Sequence, residues 1–258
     1  MRVAVYQSLP ACGDKAANLD TMHKVAASAS LMKADLAVFS ELYLTRYNIG
    51  ALCHELAEPS DGPSIQSAKK IAARTDCALA FGYPERAGDT LYNSMVLIGK
   101  NGDTLAAYRK VQVFGEAERA LFEPGDELVT CRLEGAKLGL AICYDIEFPE
   151  FGRRLARAGV DLAIVPTANM APYWEVPTSL VRARALENGM AIAYANQSGS
   201  DEQLRYTGQS CLVGADGVDL ARAGVDGEAL LIADVKSGAA KAQADLSTQL
   251  QDMVAALR

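Results

Sequence analysis

Residues 138–150 constrain this chain more than any other stretch. Leu138-Gly139-Leu140-Ala141-Ile142 is an apolar run that stops at Cys143, and Tyr144-Asp145-Ile146-Glu147-Phe148-Pro149-Glu150 follows at once. A short, nearly continuous hydrophobic run reads as a buried strand of a layered α/β protein. A proline among acids then marks a helix start, because proline fits the first turn and carboxylates complement the positive end of the helix dipole. Cys143 therefore stands at a strand-to-helix elbow, where free backbone N–H groups and the dipole favour a thiolate. Position alone leaves a buried core cysteine open as the alternative, since free cysteine is among the most buried residue types.

The same alternation runs through the chain. Segments 3–7, 35–41, 77–83, 161–167 and 191–196 read as strands, while 18–33, 63–75, 148–158 and 176–188 have helical spacing. Hairpins interrupt this pattern. Strands 92–98 and 104–110 flank Lys100-Asn101-Gly102-Asp103, 127–133 and 137–143 flank Glu134-Gly135, and 210–214 and 218–223 flank Ala215-Asp216-Gly217. A last strand is expected over 228–235 and a last helix over 239–257. The order in 1–110 recurs, roughly, in 136–235, with no linker between. Hairpins within an αβ alternation argue against a purely doubly wound sheet. The expected fold is α/β: a single domain over 1–258, built as two mixed β-sheets stacked face to face with helices outside, a four-layer α-β-β-α sandwich, with 236–258 as a C-terminal helical tail.

Composition narrows the function. Half of the 258 residues are apolar and 22% are charged, ordinary for a soluble globular protein, and the net charge is −7 without a basic tract. Nucleic acid and anionic membrane are thus unexpected partners. No apolar run is long enough to span a bilayer, and the N-terminus enters a strand pattern without a signal-like segment. Six cysteines form no C-x-x-C pair, which points to reduced thiols in a cytoplasmic protein. Only two histidines occur, His23 in a helical pattern and His54 in a polar loop stretch. Neither a zinc site nor a cysteine–histidine pair is expected from them. A catalytic base would be a carboxylate or a lysine.

Three chemistry-bearing residues end three different apolar strands: Glu41, Lys110 and Cys143. An acid or a lysine at such a place cannot be buried without a partner. A plain salt bridge or a solvated strand end accounts for Glu41 or Lys110 taken singly; with an elbow cysteine the three look like a site.

The sequence resembles the carbon–nitrogen hydrolase (nitrilase) superfamily, whose signature is a Glu-Lys-Cys triad. The matching segments are Phe39-Ser40-Glu41-Leu42-Tyr43-Leu44, Tyr108-Arg109-Lys110-Val111 and Cys143 to Glu150, with Gly82-Tyr83-Pro84-Glu85, Tyr92-Asn93-Ser94, Phe114 to Arg119, Pro166-Thr167-Ala168, Arg182 to Asn188 and Tyr194-Ala195-Asn196. They fall in order over about residues 1–235. The form around Cys143, with Phe114-Gly115-Glu116, looks most like the bacterial aliphatic amidase branch. The resemblance implies a nitrilase-like sandwich, Cys143 as nucleophile, Glu41 as general base and then acid, Lys110 as oxyanion stabiliser, and Glu118 as a second acid that positions substrate or water. It implies no cofactor and no metal, and paired protomers, a homodimer or higher homo-oligomer. Tyr47, Tyr144, Asn169, Met170 and Trp174 are the expected substrate-binding residues, packing being the alternative for the aromatics. Arg182, Arg184 and Glu187 are expected to form ion pairs.

The implied reaction is hydrolysis of a small carboxamide to carboxylate and ammonia through a cysteine thioester. N-carbamoyl amine or amino acid hydrolysis and ω-amide hydrolysis are the enzymatic alternatives, and a catalytically silent binding scaffold of the same fold is the other class. Two departures stand out. Arg46 occupies a position where the family usually has glycine, and Asp245 to Leu250 lacks the family's common C-terminal ending.

Overall fold

The computed structural model describes residues 1–238 and 246–254. The first six strands and the last are β1 (Arg2–Gln7), β2 (Leu36–Val38), β3 (Ala78–Ala87), β4 (Thr90–Ile98), β5 (Thr104–Arg109), β6 (Thr130–Leu133) and β12 (Ala229–Asp234). Between β6 and β12 come β7 (Ala136–Leu140), β8 (Leu162–Pro166), β9 (Ala191–Ala195), β10 (Cys211–Val213) and β11 (Asp219–Arg222). They form two six-stranded mixed sheets, ordered β12-β1-β2-β3-β4-β5 and β11-β10-β9-β8-β7-β6. In each sheet three strands run parallel (β1-β2-β3 and β7-β8-β9) and antiparallel strands extend the edges.

The period-2 pattern of each strand decides which layer it faces. In the first sheet Val3, Val5, Leu36, Val38, Ala78 and Ala80 join a core shared with Leu138, Leu140 and Ile164 of the second. Their neighbours Ala4, Tyr6, Ala37, Phe39, Leu79 and Phe81 turn outward onto α1 (Lys15–Leu31) and α3 (Pro63–Thr75), through Met22, Ala26, Ile65 and Ala68. On the outer face of the second sheet, Gly139 lets α5 (Pro149–Arg157) pack close: a Cβ there would lie 2.8 Å from Leu155 Cδ2. α6 (Val181–Asn188) lies beside it and ends at Gly189, whose φ is +54°. The layers are those of an α-β-β-α sandwich.

Several elements differ from expectation. β2 is only three residues long, so Glu41 sits beyond the strand in a turn. The stretch 176–188 is not one regular helix: Val176–Leu180 forms a π-helical turn with Pro177 in its first turn, and α6 follows. Two short helices were not expected, α2 (Leu52–Leu56), which carries His54, and α4 (Gly115–Arg119), inside what reads as a loop rich in acids and glycine. The tail is not one helix either. Its described part includes α7 (Gln249–Asp252), preceded by non-helical Leu246-Ser247-Thr248, where the Ser247 hydroxyl accepts from Gln249 N and competes with helix continuation. Residues 239–245 and 255–257 of that expected helix lie outside the described residues. The apparent internal repeat also hides an exchange, because β12 leaves the second half and pairs with β1 along its whole length. Among the described residues no helix is long and apolar enough to cross a membrane.

Candidate active site

Three strand ends from the two sheets deliver the site. Glu41 follows β2, Lys110 follows β5, and Cys143 lies three residues after β7. Glu41 is tied to the opposite sheet by its own backbone. Its N–H donates to Thr167 O (3.4 Å), and its carbonyl accepts from Gln197 Nε2 (2.9 Å). The turn can lie flat on β3 only because residue 82 is glycine: a Cβ there would come within 2.3 Å of Leu42 N and 2.8 Å of Glu41 Cα.

The Lys110 ammonium is fully buried and lies between two buried carboxylates. Its Nζ donates to Glu41 Oε1 at 2.6 Å and to Glu118 Oε1 and Oε2 at 2.9 and 3.0 Å. Glu118 comes from α4 and also accepts from Tyr47 OH (2.5 Å) and Phe114 N (3.0 Å). Asn93 Nδ2 donates to Glu41 Oε1 at 2.7 Å, while Glu41 Oε2 is buried without a hydrogen-bond partner. Two carboxylates around one ammonium leave an uncompensated negative charge. Burial, and secondarily the charge of Glu118, accordingly push the Glu41 carboxyl above its ordinary range against the pull of Lys110. Burial alone would lower the Lys110 ammonium; Glu118, Glu41 and Cys143 outweigh it and hold the group charged.

Cys143 opens a 3-10 turn, Cys143–Glu147, with φ +48°, in the left-handed region that non-glycine residues rarely adopt. Asp145 fixes this turn. Its Oδ2 accepts from Ile142 N (2.8 Å) and Tyr108 OH (2.7 Å), and its Oδ1 from Gln112 N (2.7 Å). The elbow does not favour a thiolate as the sequence implies. Burial, and then the Glu41 charge, push the Cys143 thiol well above its ordinary value; Lys110, the Thr167 hydroxyl and Ala168 N–H offset this only in part. The turn is too short for its dipole to overcome desolvation. The resting sulfur is a thiol that needs a base.

Cys143 opens into a cleft of about 190 Å³ lined by Tyr47, Phe114, Tyr144, Glu147, Asn169, Met170 and Tyr173. Four of the five expected substrate-binding residues thus share one wall. Trp174 does not: its N–H turns to Pro172 O (2.9 Å), its carbonyl accepts from Thr178 Oγ1 (2.8 Å), and Tyr173 takes the cleft position, its ring edge-on to Phe114. Asn169 lines the wall, yet its amide is occupied, donating to Tyr173 O (2.9 Å) and Thr207 Oγ1 (2.8 Å). Sequence reasoning did not name Asn93, Gln197, Phe114 and Glu147 as site residues; Asn93, Phe114 and Glu147 lie within segments that resemble the family, and that was the available signal. Arg184 pairs with Glu187 at 3.0 Å, whereas Arg182 pairs with Asp219 instead. A larger hollow of about 340 Å³, lined in part by Ser60, Glu85 and Arg109, contains none of Glu41, Lys110, Glu118 and Cys143.

The description of the carbon–nitrogen hydrolase family matches residues 2–245. A hydrolase of Pseudomonas protegens, from the pqqF 5′ region, is 48% identical over 235 residues, 90% of this chain and 81% of that one. An (R)-stereoselective amidase of a Pseudomonas species is 37% identical over 228 residues, covering 88% and 82%. The solved NitN amidase of Nesterenkonia sp. AN1 superposes with a TM-score of 0.89 at 34% identity, over 100% of this chain and 98% of that one. Other structures of that amidase carry acrylamide added at the active site cysteine, or hold butyramide in a variant. The chain belongs to the carbon–nitrogen hydrolase family of the nitrilase superfamily and is a hydrolase of carbon–nitrogen bonds other than peptide bonds.

Proposed function

We propose that the chain is an amidase that converts a small carboxamide to a carboxylate and ammonia through a thioester on Cys143. The observation that carries this reading is the fully buried Lys110 ammonium, 2.6 Å from Glu41 and 2.9 Å from Glu118, within electrostatic reach of Cys143 at the cleft. Burying ions carries a desolvation penalty of several kcal/mol each, and buried, mutually perturbing charges of this kind cluster at functional sites. The amidases among the relatives support the same chemistry.

The geometry supports the roles that the family resemblance implies. Glu41 takes the thiol proton as sulfur attacks the carbonyl carbon, and its unpartnered Oε2 is the free lone pair for that proton. Lys110 and the Tyr144 N–H, which as the second residue of its turn has no intrahelical acceptor, stabilise the oxyanion. As the tetrahedral species collapses, Glu41 returns the proton to nitrogen and ammonia leaves. Water then attacks the thioester, Glu41 removes one of its protons and passes it to sulfur as the C–S bond breaks, and the carboxylic acid so formed ionises to carboxylate, its proton going to ammonia or solvent. Glu118 holds Lys110 in place and positions substrate or water.

Ammonia release from butyramide tests the assignment. Cys143→Ala is expected to fall to background, and Lys110→Ala to lose at least about 10²-fold in kcat/KM, the usual effect of losing an oxyanion donor. Retained turnover in Cys143→Ala overturns the mechanism. Release of CO₂ along with ammonia from N-carbamoyl compounds, with amides inert, moves the reading to carbamoyl hydrolysis.

A further inference from the structure

The cleft contains a carboxylate that this chemistry does not use. Glu147 closes the turn that Cys143 opens, and it lines the same cleft. Its main-chain carbonyl accepts from Arg184 Nη2 at 2.7 Å, but among the described residues its carboxylate has no hydrogen bond and no ion pair. The other lining side chains are aromatic or neutral: Tyr47, Phe114, Tyr144, Tyr173, Met170 and Asn169. Phe114 packs edge-on to both Tyr144 (5.1 Å between centroids) and Tyr173 (5.7 Å), which stiffens the wall. Among the described residues no cationic side chain lines the cleft, and Arg184 is committed to Ile146 O, Glu147 O and Glu187.

An anionic group on an aromatic wall suits one kind of ligand. A protonated amine gains a charge-assisted hydrogen bond from the carboxylate and a cation–π contact from the rings. A substrate carboxylate would meet Glu147 with no cationic side chain on the cleft lining to pair with. We propose that Glu147 is the specificity-determining residue of this site and that the acyl portion of the preferred amide carries a protonated amine that pairs with it. This inference rests on Cys143 acting as the amidase nucleophile.

The protonation of Glu147 gives the inference a second readout. Burial raises its carboxyl to about 7, with Glu41 pushing the same way and Lys110 and Arg184 pulling against it. The other titratable groups on the cleft are Cys143 and the tyrosines at 47, 144 and 173. Above that value Glu147 is anionic; below it the charge that recognises the amine is lost, whereas an alkylammonium with an ordinary value near ~10 stays charged.

The experiment compares kcat/KM for 3-aminopropanamide against butyramide, and for 4-aminobutanamide against pentanamide, pairs that exchange ammonium for methyl. In the wild-type enzyme at about pH 8, at least one cationic member is expected to exceed its isostere by about tenfold or more, the usual worth of a hydrogen bond to a charged group. The ratio is expected to shrink towards unity at about pH 6 as the Glu147 carboxyl protonates, and to fall in Glu147→Gln at pH 8. Should that variant not fold, the wild-type pH dependence carries the test. Equal or faster turnover of both neutral isosteres, or a ratio that neither pH nor Glu147→Gln alters, overturns the inference while the amidase reading stands. No turnover of any of the four amides and no acyl adduct on Cys143 overturns both.

Discussion

A carboxylate that must accept a proton from a thiol needs an affinity for protons above that of an exposed glutamate. Glu41 has this because it is buried, because Glu118 is near, and because Lys110 is shared between the two acids. The sign of the resulting pH dependence follows directly. As pH falls through the raised Glu41 value the base protonates and is lost, so the acidic limb of kcat/KM lies above the ordinary glutamate value of about 4.3. Butyramide is the substrate to use, since it has no charge for Glu147 to recognise. A limb at or below the ordinary value would show that Glu41 is not the base. The residues named from sequence here were those that end apolar strands, where a charge has no reason to be unless it is partnered. Glu147 was hidden because an acid just before Phe148-Pro149 reads as a helix-start residue. The state of Cys143 was misread for a related reason: sequence shows the elbow, whereas the burial that keeps the sulfur protonated depends on tertiary packing.

At the scale of elements, precision at Glu41 depends on a turn rather than a strand. Leu42 has φ +47°, and the turn lies against β3 at Gly82. Gly82→Ala is therefore expected to shift the Glu41 backbone. The overpacking costs about 1–3 kcal/mol in stability, and a displacement of the order of 1 Å costs about 10²-fold in kcat. Thermal unfolding and butyramide kinetics measure the two separately; a fully active, equally stable Gly82→Ala protein would contradict the role given to this close approach. The same turn explains Arg46, which the sequence marks as a departure from a family glycine. The backbone there keeps the left-handed conformation that glycine favours, with φ +72°, and the arginine side chain donates from Nη2 to Ser200 O at 3.0 Å. The long central elements were legible because apolar periodicity determines them, and α3 has the bounds its Pro63 start implies. The five-residue helices α2 and α4 were not, because one turn buries too little for a periodicity to appear. α4 matters most, since it supplies Glu118.

At the scale of the molecule, two stacked sheets of six strands bring residues 41, 110 and 143 together at one end of their strands. The stacking was readable from the near-continuous apolar strands and the hairpins that flank them. The pairing of β12 with β1 was not, because strand order is set by which edges remain open once the layers have packed, and no local pattern reports it. Arg2 and Asp234 secure that junction on its exposed side at 2.9 Å. The strand ends that bear Glu41, Lys110 and Cys143 lie elsewhere, after β2, β5 and β7, and in the function proposed above they serve a covalent acyl-enzyme on Cys143. Intact-protein mass spectrometry after rapid acid quench, with butyramide at saturation and peptide mapping of the adduct, tests this most directly. A butyryl increment on Cys143 that appears within the first turnover and decays as substrate is exhausted is the predicted result; steady ammonia release with Cys143 never acylated, or with the adduct on another residue, would contradict it.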